Sequence, residues 1–306
     1  MSKISSASQL IKKYGLLGVR VAIERGIELS LRELGKHFNY GQNLLLDDWD
    51  ILIILDACRY DLFLQAIDGH SVESEINSTD YIYSCASTSK EFMNKCYSTS
   101  PNDLLSEIHL ITANGWENEC VDTSKFFAIE EIWRHHHDDS IGNTPPQPVT
   151  DAAIKAQRNS AANRFIIHYL QPHAPFVHCA GKYNSMNKTH GEGNSQNIWE
   201  GLQEGRFEKN EIWKDYVTNL ELVLGEVEIL LDNLDGDVLI SADHANAMGE
   251  FGIYGHPAYV PVPPLKRVPY VRATATDNQS YDPPQKQVDH ERMTGIEDHL
   301  QDLGYL

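Results

Sequence analysis

The sequence predicts an α/β fold with a mostly parallel central sheet and helices on both faces. Three observations predict it. Short, largely apolar runs recur at residues 51–55, 164–170 and 237–241, reading ILIIL, RFIIHYL and DVLIS. Such runs fit strands buried on both faces, as in a parallel sheet. Stretches with three-four apolar spacing lie between them, and strands that alternate with helices imply right-handed βαβ units. The first and third runs each lead into a carboxylate, Asp56 and Asp243. Ligands of open α/β sheets bind beyond the carboxyl ends of the strands.

Composition narrows the function classes. The 306 residues carry a net charge of −19, from 44 acidic and 25 basic side chains. A nucleic-acid binder needs a basic footprint, so that class is excluded as an expectation. An acidic balance suits a protein that binds cations. At 41% hydrophobic residues the chain can bury a sizeable core. The five cysteines, Cys58, Cys85, Cys96, Cys120 and Cys179, form no C-x-x-C pair. Their odd count suits reduced thiols and a cytoplasmic setting. No signal peptide is legible, and no apolar run approaches the ~20 residues of a membrane-spanning helix.

In chain order, residues 6–37 read as a helix, with Leu10, Ile11, Leu16, Val19, Ile23, Ile27, Leu31 and Leu34 near three-four spacing. Lys12, Lys13, Arg20, Arg25 and Arg32 make it the most basic part of an acidic chain. It is either packed on the domain with a solvated face or laid on a membrane surface as a peripheral contact. After the first strand, residues 60–67 open a helix. The hydroxyl-rich turn at 84–89 precedes a helix from Lys90. Residues 109–112 form a short strand, 126–133 a helix-like aromatic portion, and 144–149 a proline-rich loop. Helix 150–163 leads into strand 164–170. Residues 181–204 read as an irregular insertion and 212–234 as an amphipathic helix. Strand 237–241 ends at Asp243-His244, and 268–271 is a further strand. Residues 277–290 read as a polar linker and 291–306 as a terminal helix.

The chemistry-bearing residues gather at strand ends. Two carboxylates and an imidazole (Asp56, Asp243, His244) are ligands for a divalent cation such as Zn²⁺ or Mn²⁺. Without a cation the two carboxylates repel, which raises a pKa. His173 in PHAPF and His256 in GHP sit beside prolines that narrow the backbone, which suits a fixed ligand or an anion-gripping group. His168 lies inside a strand pattern and reads as a satisfied core histidine. His178 is a weaker candidate, and 135–137 (His-His-His) reads as a solvated loop. Ser87, Thr88 and Ser89 offer hydroxyls that become nucleophiles once a metal or base lowers their pKa. On local sequence alone the run reads first as a plain helix N-cap.

The order LDACRYD, a Ser/Thr turn, HYLQPHAPF, SADHANAMGE and YGHP resembles the alkaline phosphatase/sulfatase superfamily. The likeness covers residues 45–306 and is closest to sulfatase-like hydrolases of archaeal type. The resemblance implies an alkaline phosphatase-like fold, with residues 1–40 as an amphipathic N-terminal segment and 41–306 as the catalytic domain. It implies hydrolysis of phosphate or sulfate monoesters or diesters through a covalent intermediate on Thr88 or Ser89, with Thr88 preferred. Asp56, Asp243 and His244 would hold one divalent ion (Zn, Mn, Mg or Ca), and His173 and His256 would serve a second ion or the substrate's anionic oxygens. His178 and Arg59 are candidate substrate-binding residues. The substrate would be a small-molecule, glycan or lipid anionic ester. A phosphoglycan or lipid-headgroup transferase and a catalytically degenerate binding protein are the alternatives on the same fold. The sequence departs from the sulfatase pattern at Cys85-Ala86-Ser87-Thr88-Ser89, which lacks the Pro and Arg of a C-x-P-S-R run. It also reads DHANAMGE where DHGE-type runs are usual, and has Ala57 where many sulfatases have a second Asp.

Overall fold

The computed structural model describes residues 15–38, 40–183 and 198–284. In chain order its strands are β1 (Ile51–Leu55), β2 (Ile76–Tyr83), β3 (Ile108–Thr112), β4 (Ala128–Glu131), β5 (Arg164–Tyr169), β6 (Gly236–Ser241), β7 (Ala247–Met248), β8 (Tyr254–Gly255) and β9 (Arg267–Ala275). The helices of eight residues or more are α1 (Leu16–His37), α2 (Tyr60–Ile67), α3 (Ser89–Thr99), α4 (Gln147–Asn159) and α5 (Lys209–Leu231). Seven strands form one sheet in the order β2-β9-β6-β1-β5-β3-β4, and β7 pairs with β8 separately. The central pairs are parallel and only β9 runs against its neighbours.

The apolar run of β1 explains its central place. All five side chains are fully buried, and burial of each contributes on the order of 1.5–3 kcal/mol. β1 lies between β5 and β6, with Ile51 level with both Phe165 and Val238. The carboxyl ends of three parallel strands therefore meet at one sheet edge, where Asp56 follows β1 and Asp243 follows β6 by two residues.

Several expected elements fall elsewhere. The helix expected over 6–37 is seen from Leu16, and residues 6–14 lie outside the described residues, as does the terminal helix expected at 291–306. The portion at 126–133 expected to be helical is instead strand β4 at the sheet edge, followed by one helical turn, Trp133–His136, that contains part of the histidine run. The polar, exposed β2 carried no strand signal, because its only partner is β9 and most of its side chains face solvent. α4 begins three residues before Thr150, inside the proline-rich loop, since proline is tolerated in a first helical turn. Within the expected insertion, Ile198–Gln203 is a short helix. The described part of the expected linker is docked on α4: Arg158 pairs with Asp277 at 2.6 Å, and Tyr281 donates to Asp151 at 2.7 Å.

α1 lies on the domain by one face only. Leu31 packs against a small cluster of Ala247, Ile253, Val260, Val262 and Leu265. Gly35 is pressed on the loop beyond β8: a Cβ there would lie 1.8 Å from the Tyr259 carbonyl oxygen. The opposite face leaves Leu16, Val19, Ile23, Ile27, Leu34 and the following Phe38 exposed. Among the described residues no helix is long and apolar enough to cross a membrane.

Candidate metal-binding active site

Each carboxylate of the sheet edge has one oxygen tied and one oxygen open. Asp56 Oδ2 accepts from Asn114 Nδ2 at 2.7 Å and from Ser89 Oγ at 3.2 Å. Its Oδ1 has no hydrogen-bond partner although it is buried. Asp243 Oδ1 accepts from the backbone N–H of Ala57 at 3.0 Å and of His244 at 2.8 Å. Its Oδ2 is likewise buried without a partner. The two open oxygens lie 3.5 and 3.6 Å from His244 Nε2. His244 Nδ1 faces the Ala245 carbonyl at 3.0 Å. A carbonyl can only accept, so Nδ1 carries a proton, which leaves Nε2 as the nitrogen that can turn a lone pair to a cation. Two open carboxylate oxygens and one imidazole lone pair thus converge, all within 4.8 Å of one another.

The electrostatics fit this reading. Burial, and then the charge of Asp243, hold the Asp56 carboxyl well above the usual carboxylate range despite its bonds from Asn114 and Ser89. Burial also pushes Asp243 upward, but His244, His168 and its hydrogen bonds outweigh that and hold it low. A buried pair of this kind keeps one charge and gives up the other. Orphaned buried oxygens cost free energy, and a cation at this point would satisfy both. The donor set, two carboxylate oxygens and one imidazole nitrogen, fits Zn²⁺ or Mn²⁺.

Backbone shape delivers these groups. Ala57 adopts a left-handed conformation, φ 63°, which is rare for a residue with a Cβ. The bend aims its N–H at Asp243, and Tyr216 of α5 donates to its carbonyl from the other side. Asn219, one turn further along α5, braces the PHAPF loop by accepting from Val177 N at 3.0 Å and donating to the Pro172 carbonyl at 3.1 Å. That loop brings His173 Nε2 to 3.0 Å from His256 Nε2, and the His256 ring centre lies 4.6 Å from that of His244. Burial, and then the neighbouring His244, push His173 down to about 4 and His256 well below its ordinary value. Both shifts favour the uncharged imidazole in this pair.

The hydroxyl-rich turn separates into three roles. Ser87 Oγ donates to Glu91 Oε2 and the Pro257 carbonyl, both at 3.0 Å. Thr88 is the N-cap of α3, and its Oγ1 accepts from Glu91 N at 3.1 Å. Ser89 alone of the three faces the carboxylates, with Oγ also 3.3 Å from His244 Nε2. The expected helix start at Lys90 is one residue late, and with the helix beginning at Ser89 it is the Ser89 hydroxyl, not that of Thr88, that reaches the carboxylates. Thr88→Ala should cost about 1 kcal/mol of stability, as lost N-caps do, and leave the carboxylate cluster intact. Thermal unfolding would check this as a fall of a few degrees in Tm.

Other sequence candidates lie elsewhere. Arg59 is engaged by Asp61 at 2.6 Å, Glu250 at 3.0 Å and the Asn246 carbonyl at 2.8 Å, so it clamps the loop after His244 and has no donor directed at the cluster. His178 sits 3.5 Å from Asp215, in a group with Cys179 in which only His178 is exposed. Cys85 turns its sulfur to Cys96 at 3.3 Å. His168 is not a satisfied core histidine: neither ring nitrogen is hydrogen-bonded, and Nε2 lies 3.8 Å from Asp56 and 4.0 Å from Asp243. Burial holds its pKa down to about 4. Asn114, which donates to Asp56, is a neighbour of the cluster that the sequence pattern was not used to find. It follows β3 by two residues, so the polar-residue-after-strand pattern that marks Asp56 and Asp243 also marks it.

No family model matches the sequence, and no curated protein matches it either. Solved structures do match. The soluble domain of lipooligosaccharide phosphoethanolamine transferase A from Neisseria meningitidis is 13% identical with a TM-score of 0.52, over 75% of this chain and 77% of that one. The integral membrane form of that transferase is 12% identical with a TM-score of 0.52, over 76% of this chain; the match spans 48% of the longer protein. A putative sulfatase from Bacteroides thetaiotaomicron is 12% identical with a TM-score of 0.48, over 83% of this chain and 70% of that one. The seven-stranded sheet with its helices is an alkaline phosphatase-like fold, shared with the soluble domain of a phosphoethanolamine transferase.

Proposed function

We propose that this chain is a metal-dependent enzyme that cleaves or transfers phosphate or sulfate esters, with Ser89 as its nucleophile. The observation that carries the reading is the position of Ser89 Oγ, within hydrogen-bond reach of both Asp56 Oδ2 and His244 Nε2. Asp56 Oδ1, Asp243 Oδ2 and His244 Nε2 would hold the cation, and a divalent ion bound there supplies charge that lowers a hydroxyl pKa and polarises an ester oxygen.

The chain's own residues do the rest. Ser89 opens α3, so its oxygen sits at the positive end of a helix, where negative charge is favoured. With a cation holding Asp56 ionised, its Oδ2 could take the hydroxyl proton. Ser89 Oγ then bonds to phosphorus or sulfur while the bond to the ester's leaving oxygen breaks. Asn114 fixes Asp56 through its amide, whose Oδ1 is itself held by Trp116 N at 3.0 Å. His173 and His256, half-buried beside His244, are placed to meet the non-bridging oxygens or a second cation. Water completes a hydrolysis; an acceptor hydroxyl completes a transfer. Arg59 and His178 are not assigned to the substrate. Turnover of aryl phosphate, aryl phosphodiester and aryl sulfate by the full chain, with Zn²⁺, Mn²⁺, Mg²⁺ or Ca²⁺ added in turn, tests the reading. A chain that takes up none of these ions and turns over none of the esters would be a binding protein on the same fold.

The exposed apolar stripe of α1 favours the transferase form acting on a lipid-borne ester, with α1 lying on a bilayer surface as a peripheral contact. The full chain should then co-sediment with anionic vesicles. Ile23→Glu with Ile27→Glu should release it, and unchanged sedimentation of that variant would refute the contact.

A further inference from the structure

We propose that Cys85 and Cys96 form a dithiol–disulfide site, closed by a hydroperoxide, that fastens the turn carrying Ser89 to its own helix. The proposal rests on the two thiols and stands whether or not Ser89 is a nucleophile.

Cys85 lies in the turn between β2 and α3, and Cys96 lies on α3. Their sulfurs are 3.3 Å apart and both are buried, Cys85 at 7% exposure and Cys96 at 0%. A disulfide bond is about 2.05 Å long, so the sulfurs need approach by only about 1 Å. The two environments are unequal. The hydrogen bond between the two sulfurs, together with the nearby Lys95 and Lys266 ammonium groups, lowers the Cys85 pKa against the opposing effect of burial. Burial, and then Cys85 itself, push Cys96 well up. One sulfur is thus the better nucleophile and the other is the adjacent protonated partner, the arrangement of an attacking and a resolving cysteine.

The narrow exposure selects the oxidant. A sulfur so enclosed admits a small peroxide more readily than a bulky disulfide. The Cys85 thiolate attacks one peroxide oxygen, the O–O bond breaks, and Cys85 becomes a sulfenic acid while hydroxide leaves. The Cys96 sulfur then attacks the sulfenic sulfur, and its proton leaves with the displaced oxygen as water. The two thiols lose two electrons and two protons, and hydrogen peroxide is reduced to two waters.

The bond would fix a segment that is already anchored. Ser84 Oγ donates to the Asp243 carbonyl, Lys95 Nζ reaches the Cys85 carbonyl at 3.0 Å, and Thr88 caps α3. Cys58 is enclosed, and burial pushes its thiol well up. Cys120 and Cys179 are more exposed, and burial holds Cys179 up to about 11.

The test is treatment of the folded full chain with a modest molar excess of hydrogen peroxide, then denaturing alkylation and peptide mapping. The expected result is a chain with two fewer thiols than its original five, a Cys85–Cys96 linked peptide, and recovery of all thiols on treatment with dithiothreitol. Tm should rise by several degrees on oxidation, as a short cross-link removes freedom from the unfolded chain. In Cys96→Ser, a dimedone adduct should accumulate on Cys85. The proposal is overturned if Cys120 or Cys179 is oxidised while Cys85 and Cys96 still alkylate. Linkage of Cys85 to a cysteine other than Cys96 would overturn it as well. The wild-type map decides the matter even if the serine variant does not fold.

Discussion

Ser89→Ala should lose ester turnover by about 10³-fold or more, because the group proposed to form the covalent bond is gone and its neighbours cannot replace it. Thr88→Ala should stay within a few-fold of wild type. The contrast follows from one helical step. Thr88 Oγ1 is used by the N–H of Glu91, whereas Ser89 Oγ is directed at Asp56 and His244. Ser89→Ala removes a hydroxyl at the first position of α3, where alanine is well tolerated in a helix, so the fold should persist. Quenching the wild-type chain during turnover should trap the transferred group on the peptide that contains Ser89. Activity that survives Ser89→Ala but vanishes in Thr88→Ala would overturn the assignment.

The second large effect concerns metal. Wild type should take up a divalent ion and rise in Tm as the ion is added; at a hundred times Kd the gain is about 2.7 kcal/mol. Asp243→Asn should abolish both the uptake and the shift. The substitution can be read cleanly because Asp243 has two separate tasks. Oδ1 accepts two backbone N–H groups, which an amide oxygen can still do, while Oδ2 is the open, charged position. The metal-free variant should therefore unfold near the temperature of metal-free wild type. Asp243→Ala loses both tasks and should be less stable as well as metal-free, since buried donors left unpaired cost about 1–3 kcal/mol each. Elemental analysis with thermal scans at several ion concentrations separates these cases. An equal thermal shift in Asp243→Asn and wild type would place the ion elsewhere.

Much of this arrangement could be read from the residues. The run Ile51–Leu55 has the signature of a strand buried on both faces, and a carboxylate just past it is conspicuous because nothing in a core strand calls for one. The same device at Asp243 made convergence the simple expectation, and the sheet order puts β1 and β6 side by side. What escaped were features without a local signal. β2 reads INSTDYIY and shows neither an apolar run nor clean alternation, since an edge strand need bury little. Strand β4 is too short and mixed for periodicity to decide. The choice between Thr88 and Ser89 did have a signal. A threonine followed three residues later by Glu91 is a capping-box pattern, which assigns Thr88 to the helix cap and leaves Ser89 as the hydroxyl facing the carboxylates. His168 escaped because a histidine within a strand pattern gives no sign of which face it occupies or what lies there.

Gly35 joins two surfaces that look unrelated. Having no side chain, it lets α1 rest its backbone on the carbonyl of Tyr259. Tyr259 is itself in the left-handed region, φ 63°, and its N–H is held by Glu91 at 3.1 Å. The same loop carries His256 three residues earlier. The outward stripe of α1 and the inward imidazole of His256 are therefore mechanically in series through one close backbone contact. Any displacement of the helix has to be absorbed at a loop already held on both sides. Were ligands at the two surfaces to influence one another through this contact, the influence would have to be reciprocal. A ligand that settles the His256 loop would then change the affinity of the helix for whatever it lies on, by the same factor with which that surface changes the affinity for the ligand.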